Sequence, residues 1–156
     1  MIRRIRNSDK KEYIKKAEDF YSSSAVSHKI PSDSFEKAFD TALKDDTYIR
    51  IYILEYEGKT AGYGTVAVTY TTEGGGLTLW LDELYVKERY RGRGLGSELI
   101  AFLKTDGEVK RIRLEITPDN SGAERLYRSH DFCGCDYRQL IWDRNGDIYQ
   151  SLFELT

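Results

Sequence analysis

The stretch from Arg91 to Gly96 combines residue types that can bind a phosphate-rich group. It reads Arg-Gly-Arg-Gly-Leu-Gly, after an alternating apolar segment and before one with helical spacing. Glycine permits positive φ angles and close approach of a ligand, and successive N–H groups in such a turn form a concave anion site. A helix N-terminus adds partial positive charge, and arginines bond phosphate oxygens. The segment therefore suits a pyrophosphate.

Two better-known phosphate loops differ from this turn. It lacks the Gly-x-x-x-x-Gly-Lys-Ser/Thr pattern of nucleotide hydrolases, and Gly92-x-Gly94-x-Gly96 is not Gly-x-Gly-x-x-Gly. The elements before it are antiparallel hairpins rather than a βαβ unit, which argues against a dinucleotide-binding fold. On the glycines alone, a glycine-rich helix entry flanked by solvated arginines remains an open alternative.

The elements that position this turn follow from spacing and turn signals. The predicted order is β-α-α-β-β-β-α-β-α-β-β, with a central antiparallel meander and a last hairpin turning at Asn145-Gly146. This order predicts a single α+β domain over residues 1–156, with helices packed on a mixed sheet. The predicted strands cover 2–6, 48–56, 61–70, 77–86, 111–116, 137–142 and 148–155, and the predicted helices begin near Ser8, Pro31, Gly94 and Asn120.

Composition narrows the function classes. The chain has 156 residues, a net charge of −2 and a pI near 5.8. A nucleic-acid or membrane-surface binder would carry a basic excess, so neither partner is expected. No run approaches the ~20 apolar residues of a membrane span. The charged start, Met1 to Arg6, precedes no apolar run, so it is not a secretory signal, and a cytoplasmic protein is predicted.

The pyrophosphate-type turn resembles a motif of the GNAT superfamily of N-acetyltransferases. That motif reads Gln/Arg-x-x-Gly-x-Gly/Ala at the start of a helix, after a strand that ends Leu-x-Val. Here Arg91-x-x-Gly94-x-Gly96 follows Leu84-Tyr85-Val86 and matches each defined position. The proline usual shortly after the valine is absent, and Glu88 lies in that region. This departure affects a turn that shapes the backbone rather than a ligand contact.

A second segment resembles the next motif of the same family, a strand and a helix beside the cofactor. Leu114-Glu115-Ile116 is followed by Asn120-x-x-Ala123-x-x-x-Tyr127. The family usually continues to Gly-Phe, where this chain has Asp131-Phe132. Aspartate tolerates a left-handed conformation better than most residues, so the helix can still end there. In motif detail the resemblance covers residues 80–132.

The resemblance implies a GNAT-like acyl-CoA N-acyltransferase fold, with a mixed, mostly antiparallel sheet and helices on both faces. It implies acetyl-CoA as co-substrate and no metal. Carried over position by position, the cofactor-binding residues would be Leu84, Tyr85, Val86, Arg91, Gly92, Arg93, Gly94, Leu95, Gly96, Ser97, Asn120, Ala123 and Tyr127.

The implied reaction is direct attack of a neutral primary amine on the thioester, without a covalent enzyme intermediate. The resemblance implies Glu83 as the base that takes the amine proton, with Asp82 on the opposite face as second choice, and Tyr127 as the group that reaches the leaving sulfur. A backbone N–H near Tyr85 or Val86 would face the thioester oxygen. The alternative interpretations are a salt-bridged or exposed Glu83, a packing role for Tyr127, and a helix cap for Asn120.

The sequence does not identify the acceptor. Asp82 and Glu83 favour a cationic amine, on a small molecule or a peptide. His28, in the irregular segment after the first helix, and Tyr21, Tyr63 and Tyr70 are further candidates for the acceptor site. A non-catalytic acyl-CoA sensor or docking module is the competing hypothesis, because such a module needs the turn but not Glu83 or Tyr127. An exposed edge of the C-terminal hairpin suggests a possible homodimer.

Overall fold

The computed structural model describes residues 1–26 and 30–144, which form one five-stranded sheet in the order β1-β2-β3-β4-β5. The elements are β1 (Ile2–Arg4), α1 (Lys10–Tyr21), α2 (Asp33–Lys44), β2 (Ile49–Tyr56), β3 (Lys59–Thr71), β4 (Gly76–Val86), α3 (Leu95–Lys104), β5 (Val109–Leu114) and α4 (Ser121–Arg128).

The sheet is mixed, as the sequence predicts. β1 to β4 pair with one another in antiparallel fashion, whereas β5 runs parallel to β4. Parallel neighbours need a crossover, and α3 supplies it. No helix within the described residues is both long and apolar enough to cross a bilayer.

Helices cover both faces of the sheet, which confirms that prediction. On one face, α1 and α2 pack through Tyr13 and Phe39 against Ile53 and Tyr63. On the other face, the apolar side of α3, including Leu99, packs against a second cluster built from β2, β3 and β4. Each helix therefore buries the apolar stripe that its 3.6-residue periodicity indicates.

A β-bulge in β4 changes which face its side chains take. Val66 pairs with Leu81 and Thr65 pairs with Glu83, so Asp82 is the extra residue. Leu81 lies in the core under α3 and α4, whereas Glu83 contacts Tyr21 of α1. Residues two apart on a regular strand share a face. The bulge therefore turns Glu83 towards α1 and α2.

β4 and β5 separate beyond the bulge. Their pairing ends at Leu81 and Leu114, while β4 continues to Val86 beside β3. The last part of β4 therefore has a strand neighbour on one side only within the described residues. A gap opens between the carboxyl ends of two parallel strands, which is a common place for a ligand site in α/β structures.

The predicted C-terminal hairpin is not formed as expected. Residues 137–142 adopt no strand, and Tyr137, Leu140 and Trp142 are 69%, 97% and 78% exposed. A strand on a sheet buries one of its faces against a neighbouring layer, and these side chains lack such burial. The second predicted strand, 148–155, lies outside the described residues, as does His28. The homodimer suggested from this hairpin stays a prediction.

Candidate active site

A cavity of about 870 Å³ occupies the gap at the end of β4, a volume within the range of small-molecule sites. Its walls come from the end of β4, the turn before α3, α4, and the segment that follows α1. Of the residues predicted to bind a cofactor, the cavity is lined by Leu84, Tyr85, Val86, Arg91, Gly92, Gly94, Leu95, Gly96, Ser97, Asn120, Ala123 and Tyr127.

The glycine-rich turn has the backbone conformation expected of an anion cradle. Gly92 and Gly94 have φ angles of 72° and 79°, and Gly94 is the N-cap of α3. A Cβ at either position would meet nothing within 4 Å, so the left-handed φ is what favours glycine there. Gly96 has a different role, because its Cβ would lie 2.9 Å from a methyl group of Leu126. It allows α4 to pack closely on α3.

Of the arginines near the glycine-rich turn and α4, Arg91 and Arg125 line the cavity and Arg93 does not. Arg91 lines it and donates from Nε to the Val86 carbonyl oxygen at 3.0 Å, which ties the turn to the end of β4. Arg93 was predicted to bind cofactor but does not line the cavity; it stacks on Tyr56 at 4.7 Å and bonds its hydroxyl. Arg125 of α4 lines the cavity and was missed. It follows Ala123 by two residues, so the second motif contained the signal.

The end of β4 presents a backbone donor to the gap. The Lys87 N–H donates to the Ala61 oxygen on β3 at 2.8 Å. Successive N–H groups of a strand point to opposite sides, so the Val86 N–H points away from β3, towards the side that β5 has left. Of the two candidate donors, Tyr85 and Val86, this alternation favours Val86.

Two predicted residues of α4 take well-defined positions. The Asn120 side-chain oxygen accepts a 3.1 Å bond from the Ala123 N–H, so Asn120 caps the helix. This capping uses the amide oxygen, and a ligand would therefore be bound through the amide nitrogen. Tyr127 is 9% exposed and packs on Phe132. Burial raises the pKa of Tyr127 to about 12, so its hydroxyl stays protonated at neutral pH.

Glu83 does not line the cavity, although the next residues of β4, Leu84 and Tyr85, do. It is 8% exposed, and its Oε1 accepts a 3.1 Å hydrogen bond from the Tyr21 hydroxyl. Burial raises the pKa of the carboxyl, and the nearby hydroxyls of Tyr63, Tyr21 and Thr65 oppose that rise. No lysine or arginine in the described part of the chain forms an ion pair with it. Its burial contradicts the exposed alternative, whereas the salt-bridged alternative stays a prediction because His28 and Lys29 lie outside the described residues.

The end of α1 and the segment after it bring Glu83 and the cavity together. Phe20 of α1 and Ser23, Ser24 and Ala25 after it form a cavity wall, and Tyr21, the last residue of α1, donates a hydrogen bond to Glu83. The sequence signal for this wall is weak, because the segment after α1 is short, polar and irregular. Tyr70, another candidate, is 74% exposed and does not line the cavity.

Known proteins share this architecture. The sequence profile described as "Acetyltransferase (GNAT) family" matches residues 10–132. The structure is similar to that of a possible acetyltransferase from Clostridium difficile 630, with a TM-score of 0.74, 20% identity, and coverage of 92% of this chain and 96% of that one. It is also similar to an aminoglycoside N-acetyltransferase in complex with CoA, with a TM-score of 0.73, 16% identity, and coverage of 92% and 94%.

One curated relative is closer in sequence. A spermine/spermidine N(1)-acetyltransferase of Bacillus subtilis (strain 168) is 34% identical over 95 residues, which are 57% of this chain. The match spans 62% of the length of that relative. The sequence similarity therefore covers about three fifths of this chain and about three fifths of the relative.

Proposed function

The chain belongs to the acetyltransferase (GNAT) family, and from that premise we propose that it transfers the acetyl group of acetyl-CoA to a cationic primary amine. The observation that carries the proposal is the cavity at the end of β4. Its lining combines a positive-φ glycine turn at a helix N-terminus with a buried tyrosine, Tyr127. The turn suits a pyrophosphate, and the rest of the cavity suits a pantetheine arm and thioester.

The first chemical task is to free the amine of its proton. An alkyl ammonium has a pKa near 10.4, so only about one in 2,500 is neutral at pH 7, which corresponds to about 4.6 kcal/mol. Glu83 is the proposed base, acting directly or through water. Its raised pKa brings it closer to the operating pH, where a general base is most effective. The absence of an ion pair to Glu83 in the described residues fits that role.

The second task is to stabilise the charge that develops on the thioester oxygen and sulfur. In the proposed reaction the neutral amine attacks the carbonyl carbon, and the Val86 N–H donates to the oxygen. As the carbon–sulfur bond breaks, the Tyr127 hydroxyl donates a hydrogen bond to the sulfur. Its pKa of about 12 exceeds the ~8.5 of a thiol. Full proton transfer from Tyr127 would cost about 5 kcal/mol, so hydrogen-bond donation is the role that fits.

The acceptor is proposed to be a polyamine or a related polycation. Two carboxylates support this: Glu83 itself, and Asp19 of α1, whose Oδ2 accepts a 3.4 Å bond from the hydroxyl of Tyr85, a cavity residue. An acceptor with two or more ammonium groups could place one near each carboxylate. The relative that acts on spermine and spermidine makes these compounds the first to test, and the fold shared with an aminoglycoside enzyme makes aminoglycosides the second.

The test is release of CoA thiol from acetyl-CoA in the presence of spermine, spermidine, an aminoglycoside and a lysine peptide. We expect saturable turnover with at least one polyamine, and loss of at least about 100-fold in kcat/KM in Glu83→Gln. Calorimetric titration with acetyl-CoA is run in parallel on both proteins. Binding without turnover of any amine would contradict the enzyme and favour the acyl-CoA sensor. If acetyl-CoA did not bind to the wild-type protein, both the acetyltransferase and the acyl-CoA sensor would be contradicted.

A further inference from the structure

Behind Glu83 lies a group of buried hydroxyls without hydrogen-bond partners. The Oγ1 atom of Thr65 and the phenolic oxygens of Tyr13 and Tyr63 are buried and unpaired within the described residues, as is Oε2 of Glu83. The three hydroxyl residues are 2%, 1% and 0% exposed. Buried polar groups are nearly always paired, and an unpaired one costs about 1–3 kcal/mol. Four such atoms together call for an explanation.

The sheet register brings Thr65 to Glu83. The two residues are direct cross-strand partners on β3 and β4, and such partners on one face have Cβ atoms about 4.5–5.5 Å apart. That separation allows a hydroxyl–carboxylate hydrogen bond, directly or through one water, after a rotation about χ1. The bulge at Asp82 is what sets this pairing, because without it Thr65 would face residue 82.

Among the residues that the structure describes, the remaining neighbours of Glu83 add no positive charge. From α1 it faces Tyr13 and Tyr21, and from β4 its nearest ionisable neighbour is Asp82, another carboxylate. α2 contributes Phe35, which packs on Tyr21 and is apolar. Within residues 1–26 and 30–144, hydroxyl groups are therefore what stabilise a negative charge on Glu83.

We propose that Thr65, supported by Tyr63, is a positioning residue that holds the Glu83 carboxylate in the ionised state required to accept the amine proton. The proposal rests on the proposed function for its role in catalysis. In the ionised state, Tyr21 donates to Oε1 and Thr65 donates to Oε2, with Tyr63 as the next donor. When Glu83 takes a proton from the acceptor ammonium, Oε2 becomes a hydroxyl and Thr65 turns from donor to acceptor, which a threonine hydroxyl can do without moving its heavy atoms.

The test compares Thr65→Val, which removes the hydroxyl at nearly constant volume, with Thr65→Ser, which keeps it. Hydrogen bonding to the charged form lowers a carboxyl pKa, so its removal raises that pKa. We expect the acidic limb of the kcat/KM profile to move up by about half a pH unit or more in Thr65→Val, which is a loss of about threefold at pH values below the limb. Thr65→Ser restores the wild-type limb, and Tyr63→Phe shifts it in the same direction as Thr65→Val.

The matched control is Thr78→Val. Thr78 is a fully buried threonine on β4 that bonds Thr71, far along the strand from Glu83. Its loss should leave the pH profile unchanged. Because the proposed bond is made to the ionised carboxylate, Thr65→Val should lower the melting temperature more at pH values above the Glu83 titration than below it, whereas loss of a merely structural hydroxyl would lower it equally at both.

A second readout separates this inference from the proposed function. Carbon-13 NMR of labelled glutamate carboxyls, assigned with Glu83→Gln, follows the Glu83 pKa in the free protein without turnover. A raised pKa in Thr65→Val together with a shifted rate profile supports the proposal. Turnover with unchanged Glu83 titration in both Thr65→Val and Tyr63→Phe overturns it and leaves the acetyltransferase intact. If the Glu83 pKa rises in Thr65→Val but the wild-type protein acetylates no amine, the proposed function is contradicted, and the catalytic role of Thr65 is contradicted with it.

Discussion

The Tyr21 hydroxyl, at the last residue of α1, donates a 3.1 Å hydrogen bond to Oε1 of Glu83 on β4. This bond links the helix that leads into a cavity wall to the proposed base. It also means that the position of α1 and the orientation of the carboxylate are coupled. Loss of either partner should therefore affect proton transfer before it affects cofactor binding.

Glu83→Gln is expected to remove the acidic limb of the kcat/KM profile along with most of the activity. The pKa of Glu83 is raised by burial, so in the wild type activity should fall as the pH drops through a value above the usual ~4.3 of a glutamate. Steady-state rates between pH 5 and 9 measure this. Asp82→Asn is the adjacent control and should keep the limb. If Asp82→Asn instead lost the limb and Glu83→Gln kept it, the base would be Asp82 rather than Glu83.

Tyr127→Phe should lower kcat by about 10- to 100-fold with little change in the affinity for CoA. The reason is that the lost hydrogen bond is made to sulfur only as negative charge develops there. Tyr90→Phe provides a control, because Tyr90 also lines the cavity but lies beside the turn. Equal losses in the two variants would indicate that both hydroxyls act through packing or hydration rather than through the leaving group.

Gly94→Ala should weaken CoA binding by at least about tenfold, which is ~1.4 kcal/mol. Alanine disfavours the φ of 79° at this N-cap, at a cost of about 1–2 kcal/mol, and the turn would lose its anion-binding geometry. Gly58→Ala is matched in strain, with a φ of 72° and open space, but lies in the β2–β3 turn. It should lower stability similarly and leave the calorimetric Kd for CoA at the wild-type value.

Lys16→Met is expected to stabilise the fold at neutral pH. Lys16 is 1% exposed, and burial lowers its pKa to about 8 even though Glu12 accepts a bond from it. Relative to the ~10.4 of an unfolded lysine, the charged form is disfavoured in the folded state by about 3 kcal/mol below pH 8. The wild type therefore gains stability as pH rises from about 8 to 10.4, because the unfolded chain binds more protons in that window.

Urea unfolding at pH 7 and at pH 9.5 measures this difference. The gain from Lys16→Met should be largest at pH 7 and shrink at pH 9.5. Lys15→Met, at an exposed neighbouring position, should change stability little at either pH. A strongly destabilised Lys16→Met at pH 7 would show instead that the Glu12–Lys16 pair outweighs the burial of the charge.

Much of the site was predictable because it is local in sequence. The turn from Arg91 to Gly96 and the segment from Asn120 to Tyr127 place their functional groups within one helix start or one helical face. Helical spacing and capping rules act over such distances. Arg93 is the exception: its neighbour in sequence lines the cavity, but its own side chain stacks on Tyr56 of β2, a contact that only the fold brings about.

The sequence by itself determined the element types from β1 to α4 and the glycines of the turn, because periodicity and positive-φ positions are properties of short segments, and the helices on both faces were implied by the family resemblance. The tertiary structure alone decided the surroundings of Glu83. The bulge at Asp82 reverses its face, the register sets Thr65 opposite it, and α1 brings in Tyr21. These are long-range contacts, and a single extra residue in one strand changes all of them at once, since the side chains of a strand alternate with a period of two.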